Sequence, residues 1–360
     1  MSHDPCRFFN PGPSWVRPEI LAEMARPVIG HRTTEFRETY SRILDDLGSL
    51  FATKQHAFVA TSSGTGILEA AMINCVPRSV LVTTCGAFSE RWLNIAERLG
   101  LEADRFSAEW GKAVDPVALA DFVAGRHRKY DAITITHNET STGVMNDLET
   151  LARTIRDVAP DSLILVDAVS SLACTPILFD EWGLDVCLAS VQKGLALPPG
   201  ITVFAVSERA MARAETKPYR GMYFDFLEFR QRAEKREALF TPSIPHVFAL
   251  ATQLDAILRH ETLERRWERH REMRRLTHER LSGFADLAPS PAVASVSISA
   301  LRPRSSNAPE VVGAMKARGF TIGGGYGRWK EDTFRIGHMG DVPVDDLLAM
   351  LDVLAEVLVS

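Results

Sequence analysis

"SLILVDAV", Ser162 to Val169, is the most apolar strand-like run in the chain, and an acid interrupts it. Leu163, Ile164, Leu165 and Val166 follow one another with no alternation between a wet face and a dry one. A strand of that kind is buried on both faces, as in a parallel sheet covered by helices. Asp167 closes the run. A carboxylate at the edge of such a layer is costly unless a cation meets it.

Similar runs lie on either side. "HAFVAT" (56–61), "SVLVTT" (79–84) and "YDAITITH" (130–137) come before, and "LDVCLASV" (184–191) and "GITVFAVS" (200–207) after. Helical spacing fills the gaps. "GILEAAMINC" (66–75) and "FSERWLNIAERLG" (88–100) read as helices, the second ending on glycine. "NDLETLARTIRDVAP" (146–160) opens on a capping Asn146 or Asp147, sets Leu148, Leu151, Ile155 and Val158 on one face, and stops at proline. Strand–helix alternation predicts an α/β fold with a mostly parallel sheet covered by helices.

After residue 245 the texture changes. Residues 251–283 read as one long helical region with a salt-bridged solvent face, through Glu261–Arg265, Glu268–Arg271 and Glu272–Arg275, and with Gly283 as C-cap. "VASVSISAL" (293–301), a helix near 309–318, "DTFRIGHM" (332–339) and "DDLLAMLDVLAEVLV" (345–359) suggest a small α+β domain. The expected division is an N-terminal segment, 1–20, a large domain, 21–250, and a small C-terminal domain with its linker helix, 251–360.

Bulk properties exclude several classes. The 360 residues exceed what one growing core needs. A net charge of −5 gives no reason to expect nucleic acid or an anionic membrane as partner, and the arginines of 251–283 are interleaved with acids. No apolar run is long enough to span a bilayer, and the first residues lack a secretory signal. Cys6, Cys75, Cys85, Cys174 and Cys187 have no zinc spacing, so no metal is expected, and they read as thiols in a reducing cytoplasm.

Chemistry concentrates after the strands. "LASVQKGLALPPG" (188–200) sets Lys193 between a strand and a rigid turn. Desolvation there disfavours the ammonium and leaves a nucleophilic amine able to form a Schiff base with an aldehyde. Asp167 calls for a cation, which the protonated ring nitrogen of pyridoxal phosphate supplies. Ligands of open parallel sheets bind at the strands' C-terminal ends, so the two residues can converge on one ring. "ATSSGTGILEAA" (60–71) joins a strand to a helix start, a natural anion cradle. It is no P-loop, and Glu69 breaks the dinucleotide fingerprint. Phe88 could stack on a flat ring. Asn138, Glu139 and Thr140 suit hydrogen bonds to a ligand hydroxyl. Arg335, amid apolar neighbours, could clamp a carboxylate, and His31-Arg32 could hold a second anion.

In this order, "NPGPSWVRPEIL", "GHRTTEF", "SSGTGILEAA", "HNETSTGV", "VDAVSSL", "DEWGLDVCLASVQKGLALPPG" and "FRIGHMGD" resemble the blocks of the class V, fold-type I aminotransferases that use pyridoxal 5'-phosphate, and in particular the alanine–glyoxylate and serine–pyruvate branch. The resemblance spans nearly the whole chain. It implies that Lys193 is the lysine bonded to the cofactor and that Asp167 pairs with the ring nitrogen. Val169 and Phe88 would sandwich the ring. Ser63, Gly64 and Thr65, with Gln192, would hold the phosphate. Asn138 or Thr140 would approach the ring hydroxyl. Arg335 would bind the substrate α-carboxylate, with Gly12, His31 and Arg32 also on the substrate side. It further implies a homodimer with shared active sites, in which Thr241 or Ser243 reaches the partner's phosphate. Val191 stands where close relatives often have serine, and Phe240 where some have tyrosine.

The activity so implied is ping-pong transfer of an amino group from a small amino acid, such as alanine or serine, to glyoxylate or pyruvate. The alternatives are a transaminase for a phosphonate or doubly anionic amine (aminoethylphosphonate, phosphoserine, aspartate) and a lyase on the same fold. No cysteine follows Lys193, which argues against a cysteine desulfurase.

Overall fold

The structure, a computed structural model, describes residues 6–359. Its central sheet has seven strands. From edge to edge they are His56–Ala60, Thr202–Val206, Val186–Ser190, Leu163–Asp167, Ala132–Thr136, Ser79–Thr84 and Glu102–Ser107. Thr202–Val206 runs antiparallel to both neighbours, and the remaining pairings are parallel.

Both faces of this sheet are dry. Ile164 and Val166 join Ile133, Ile135, Cys187 and Ala189 in one core, under the helices Thr34–Leu50, Leu148–Val158 and Ile244–Asp255. Leu163 and Leu165 join Val80, Val82, Val186 and Leu188 in another, under Gly64–Cys75, Glu90–Arg98, Glu208–Glu215 and Phe226–Glu234. That is why the deciding stretch shows no polar alternation. Each aliphatic side chain so buried contributes about 1.5–3 kcal/mol relative to an exposed one.

Register sets the site. Thr136 pairs with Asp167, and Asp167 with Leu188. The strands of Thr136 and Asp167 therefore end level, the Val186–Ser190 strand runs two residues further, and the segments that follow, from Asn138 and from Val191, emerge near Asp167.

The helix of 148–158 is capped by Asp147, whose side chain accepts from Thr150 N. Asn146 is buried instead, accepting from Val114 N (2.8 Å) and donating to the Thr136 carbonyl (2.7 Å).

A second sheet orders Phe8–Phe9, Thr321–Gly324, Phe334–Gly337, Ile298–Pro303 and Ala285–Leu287. The helices Leu263–Leu281, Ala308–Ala317 and Val344–Val359 contribute to its core. Phe8–Phe9 pairs parallel with Thr321–Gly324, so residues 8–9 belong to the second sheet although they precede every strand of the first.

The long helical region differs from its sequence reading. Ile244–Asp255 passes into a wider turn, Ala256–Glu261, and Thr262 then breaks the path at φ 69° before Leu263–Leu281 begins. The Thr262 side chain accepts from Arg265 N and caps the new helix. Glu261 consequently turns to Arg266 and Arg269 and not to Arg265. Glu272–Arg275 forms at 2.6 Å as spacing predicts. The Leu263–Leu281 helix has Ser282 as its cap, so Gly283 lies beyond it. Arg266 is not on a solvent face. It is 1% exposed and binds Glu261 (2.6 Å), Asp341 (2.8 Å) and the Gly194 carbonyl (2.7 Å).

Candidate active site

A cavity of about 260 Å³ opens at the C-terminal ends of the parallel strands. Gly12, Ser63, Gly64, Thr65, Phe88, Asn138, Thr140, Asp167, Val169, Gln192 and Lys193 all line it. These segments are remote in sequence and convergent in space. The sheet register and the strand-to-helix turns bring them together.

Lys193 enters just past Val186–Ser190. Its Nζ donates to the Pro11 carbonyl at 2.5 Å. The N-terminal segment also grips the lysine's own backbone: Ser14 N donates to the Gln192 carbonyl (2.8 Å) and Ser14 Oγ to the Lys193 carbonyl (2.9 Å). Gly12 is required here, at φ 118°, because a Cβ on it would stand 2.2 Å from Lys193 Nζ. Burial pushes the ammonium down to about 8, and the Arg335 charge adds to that while Asp167 opposes it. A good fraction of the amine is then neutral near physiological pH, as a proton-transferring or nucleophilic lysine needs.

Asp167 ends the Leu163–Asp167 strand, and Val169 N donates to its Oδ1 (2.8 Å). Burial pushes its carboxyl up to about 6, against that hydrogen bond and with the Glu139 charge adding. No ion pair joins Asp167 to Lys193 among the described residues. Each faces the cavity without its cost of burial being met, which is the environment that favours a cationic guest beside Asp167.

The anion cradle is the start of the Gly64–Cys75 helix. Ser63, its N-cap, makes no side-chain capping bond, so the first amides await an acceptor. A Cβ on Gly64 would stand 2.5 Å from Ser190 Oγ, so only glycine lets the turn lie against that strand end. Asn138 donates to the Ser170 carbonyl (3.2 Å), Ser170 Oγ (2.8 Å) and Ser297 Oγ (2.9 Å), while its Oδ1 is buried without a partner. An unmet acceptor in the wall calls for a hydroxyl or N–H on the guest. Pyridoxal phosphate fits this set on four counts: an amine for its aldehyde, a carboxylate for its ring nitrogen, free amides for its phosphate, and Asn138 Oδ1 for its hydroxyl.

Phe88 lines the cavity, and its ring also stacks on Tyr326 at 5.0 Å and 23°. The ring is therefore already engaged by Tyr326 and by the Arg91 guanidinium that lies over it, and a planar guest would have to share it. Arg335 does not line the cavity itself. Its Nη1 donates to the Thr140 carbonyl (3.0 Å), its Nε to the Gly324 carbonyl (2.8 Å), and its guanidinium lies 5.6 Å from the Tyr326 ring centre. Burial brings it down to about 10.

Other expected site residues lie apart. Arg32 forms an exposed ion pair with Glu237 (2.8 Å), and His31 is not in the cavity wall. Thr241 is exposed. Ser243 N donates to Thr61 Oγ1 (3.2 Å), and Ser243 Oγ bonds His246 Nδ1 (2.7 Å), so this segment flanks the cradle without entering the cavity. Glu139 turns away from the rim.

Five wall residues are not singled out by the sequence, Pro13, Leu68, Arg91, Ser170 and Ser190, and two of them bear on the chemistry. Ser190 supplies the hydroxyl that Val191 lacks, one position earlier. Arg91 also lines the wall. It donates to Thr65 Oγ1 (3.0 Å), and its guanidinium lies 5.2 Å from the Phe88 ring centre. No carboxylate pairs with it among the described residues. Its place in the first turn of the helix after Phe88 was the available signal.

Comparison with known proteins agrees with this geometry. The family profile for aminotransferase class-V matches residues 19–325. A protein named as the small subunit of a soluble hydrogenase, from a Synechococcus strain, is 34% identical over 99% of this chain and 93% of its own length. A serine–glyoxylate aminotransferase of Methylorubrum extorquens is 31% identical over 95% of this chain and 88% of its own. The crystal structure of an aspartate aminotransferase of subgroup IV from Thermus thermophilus superposes with a TM-score of 0.90 at 30% identity, covering 98% of this chain and 99% of that one.

Proposed function

The chain belongs to the class V aminotransferases, with the fold-type I architecture, and from that premise we propose that it binds pyridoxal phosphate in this cavity and moves an amino group from a small amino acid to glyoxylate or pyruvate by a ping-pong route. The observation that carries the reading is the pair of buried, unmatched groups, Lys193 and Asp167, on one small cavity. When bound, the cofactor supplies an aldehyde and an electron-withdrawing ring that makes the donor's Cα proton removable. Lys193 Nζ, neutral in part near pH 8, takes that proton and returns it at a neighbouring carbon. Asp167 holds the ring nitrogen as a cation. The Ser63–Thr65 amides and Gln192 would hold the phosphate, and Val169 and Phe88 would pack against the ring. Arg335 receives the substrate carboxylate with the N–H groups that Thr140 and Gly324 leave unused.

A cavity of about 260 Å³ suits a small donor once a ring occupies it. The serine–glyoxylate activity named for the Methylorubrum relative supports the acceptor. We further propose a cytoplasmic homodimer whose partner reaches the cradle through Thr241 or Ser243, and the three-part division at residues 20 and 250. Among the described residues no helix is long and apolar enough to cross a membrane.

Arg91 favours a second reading. An arginine in the wall with no carboxylate beside it suits a donor with a second anionic group, such as aspartate, phosphoserine or aminoethylphosphonate. One experiment separates the readings. The cofactor-loaded protein is given single amino acids and its visible absorbance followed, with glyoxylate or pyruvate added afterwards. Bleaching by serine or alanine and recovery with keto acid support the first. Bleaching by the dianionic donors alone supports the second. Product release with no need of an acceptor would overturn both in favour of a lyase.

A further inference from the structure

Glu139 is fully buried, and nothing above gives it a task. It follows Asn138 at the strand end, yet its carboxylate leaves the cavity and enters the loop before the Glu90–Arg98 helix. Oε2 accepts from Ser89 N (2.8 Å) and Phe88 N (3.1 Å). Oε1 accepts from Phe88 N (3.2 Å), Ser141 N (3.1 Å) and Ser141 Oγ (2.6 Å). No lysine or arginine pairs with it among the described residues. Every hydrogen bond to the carboxylate comes from an N–H or O–H dipole, those of Phe88 and Ser89 at the start of a helix, and the Arg335 charge acts on it with no bond between them.

The surroundings are shaped to it. A Cβ on Gly86 would stand 2.5 Å from Glu139 Cγ, so the loop backbone lies directly against the side chain. Ser89 Oγ, buried, accepts from Cys85 N (3.0 Å) and Gly86 N (3.1 Å) and donates to the Gly86 carbonyl (2.8 Å), closing the same turn from within. A short loop rarely warrants a buried carboxylate with no cation bonded to it. This loop carries Phe88, the aromatic ring of the cavity wall, which packs on Tyr326 and carries the Arg91 guanidinium over it.

We propose that Glu139 is a positioning residue: by clamping the Phe88 and Ser89 amides it fixes the height and tilt of the Phe88 ring against a planar guest. The proposal rests on the reading that the guest is pyridoxal phosphate. Its effect is on binding and ring orientation. Proton transfer is left to Lys193.

The test is a double-mutant cycle on the full chain, with the pyridoxal phosphate dissociation constant and the visible circular dichroism of the bound cofactor as readouts. Glu139→Gln keeps the volume but sets an amide N–H group among N–H donors. It is expected to weaken binding about tenfold and reduce the dichroic band, and Phe88→Leu to do likewise. The double variant is expected to bind no more weakly than Phe88→Leu alone, because a clamp without its ring has nothing to position. Should Glu139→Gln fail to fold, Ser141→Ala removes the 2.6 Å hydroxyl donor together with the acceptor of Ala87 N (3.0 Å) in the same loop, and its smaller loss should likewise vanish in the Phe88→Leu background. Losses that add in the double variant would overturn the proposal and place Glu139's effect elsewhere, such as in its charge on Asp167. Unchanged binding in both Glu139→Gln and Ser141→Ala would overturn it too. A wild-type protein that does not bind pyridoxal phosphate would instead overturn the functional reading, and this one with it.

Discussion

Two clusters of buried charge lie a few residues apart in this molecule and are treated in opposite ways. Around Arg266 each charged group has an oppositely charged partner, although Arg266 Nε itself is buried without a hydrogen bond. Arg266 meets Glu261 and Asp341, Asp341 also meets Arg17 (2.6 Å), and Arg269 meets Glu261 (2.7 Å) and the Gly340 carbonyl (2.9 Å). Those partners hold the Asp341 and Glu261 carboxyls below their usual range despite burial. Around Lys193 the charges are left unanswered. The amine has a carbonyl and the Asp167 carboxylate a single backbone amide, so burial drives the lysine down and the aspartate up. The clusters touch, because Arg266 binds the carbonyl of Gly194, the residue after Lys193. A satisfied network acts as scaffold, and an unsatisfied one is a site waiting for its guest.

The comparison can be broken in several ways. The largest effect belongs to Lys193→Ala, expected to lower amino-transfer turnover by at least about 10⁴-fold, since both its nucleophilic and its proton-transfer roles go. Stopped-flow rates on the active donor check it, and activity within tenfold of wild type would remove the lysine from the mechanism. Next is Arg266→Ala, which leaves Asp341 and Glu261 without this partner. Breaking a buried pair costs about 3–5 kcal/mol, read as a lower urea midpoint, with the loosened Gly194 carbonyl also weakening cofactor binding.

Lys193→Met should do the reverse to the cofactor-free fold. The folded lysine titrates near 8 and the unfolded one near 10.5, so at pH 7 wild type carries the cost of a buried ammonium. Between those values the unfolded chain binds more protons, and wild-type stability rises with pH. The methionine variant is therefore expected to be more stable at pH 7, on the order of 1–3 kcal/mol, with the gain shrinking toward pH 10. A gain independent of pH would mean the shift is not electrostatic. The smallest effect is at Arg275→Ala, on an exposed pair with Glu272, where the urea midpoint is expected to stay at the wild-type value.

The same contrast explains what could be read from the sequence. The doubly buried strands, the acid at the end of Leu163–Asp167 and the lysine before "GLALPPG" were all legible, because the chemistry lies in residue type and in position along a strand. What escaped depends on direction. Arg266 and Arg275 look alike in an Arg/Glu-rich run, and only the break at Thr262 turns one into the interior. Thr262 is a permissible N-cap residue, but without a proline or glycine beside it the run reads equally well as one uninterrupted helix. Arg91 reaches the wall because a helix begins where it does. Glu139 leaves the rim because Gly86 makes room for it. Asn146 and Asp147 were equal candidates for a cap until burial chose between them.

The most direct test of the central claim is to mix the protein with pyridoxal phosphate, reduce it with sodium borohydride and map the modified peptide by mass spectrometry. A single pyridoxyl group on Lys193 is the expected result. No stable modification, or one on Lys217 or another lysine, would contradict the account.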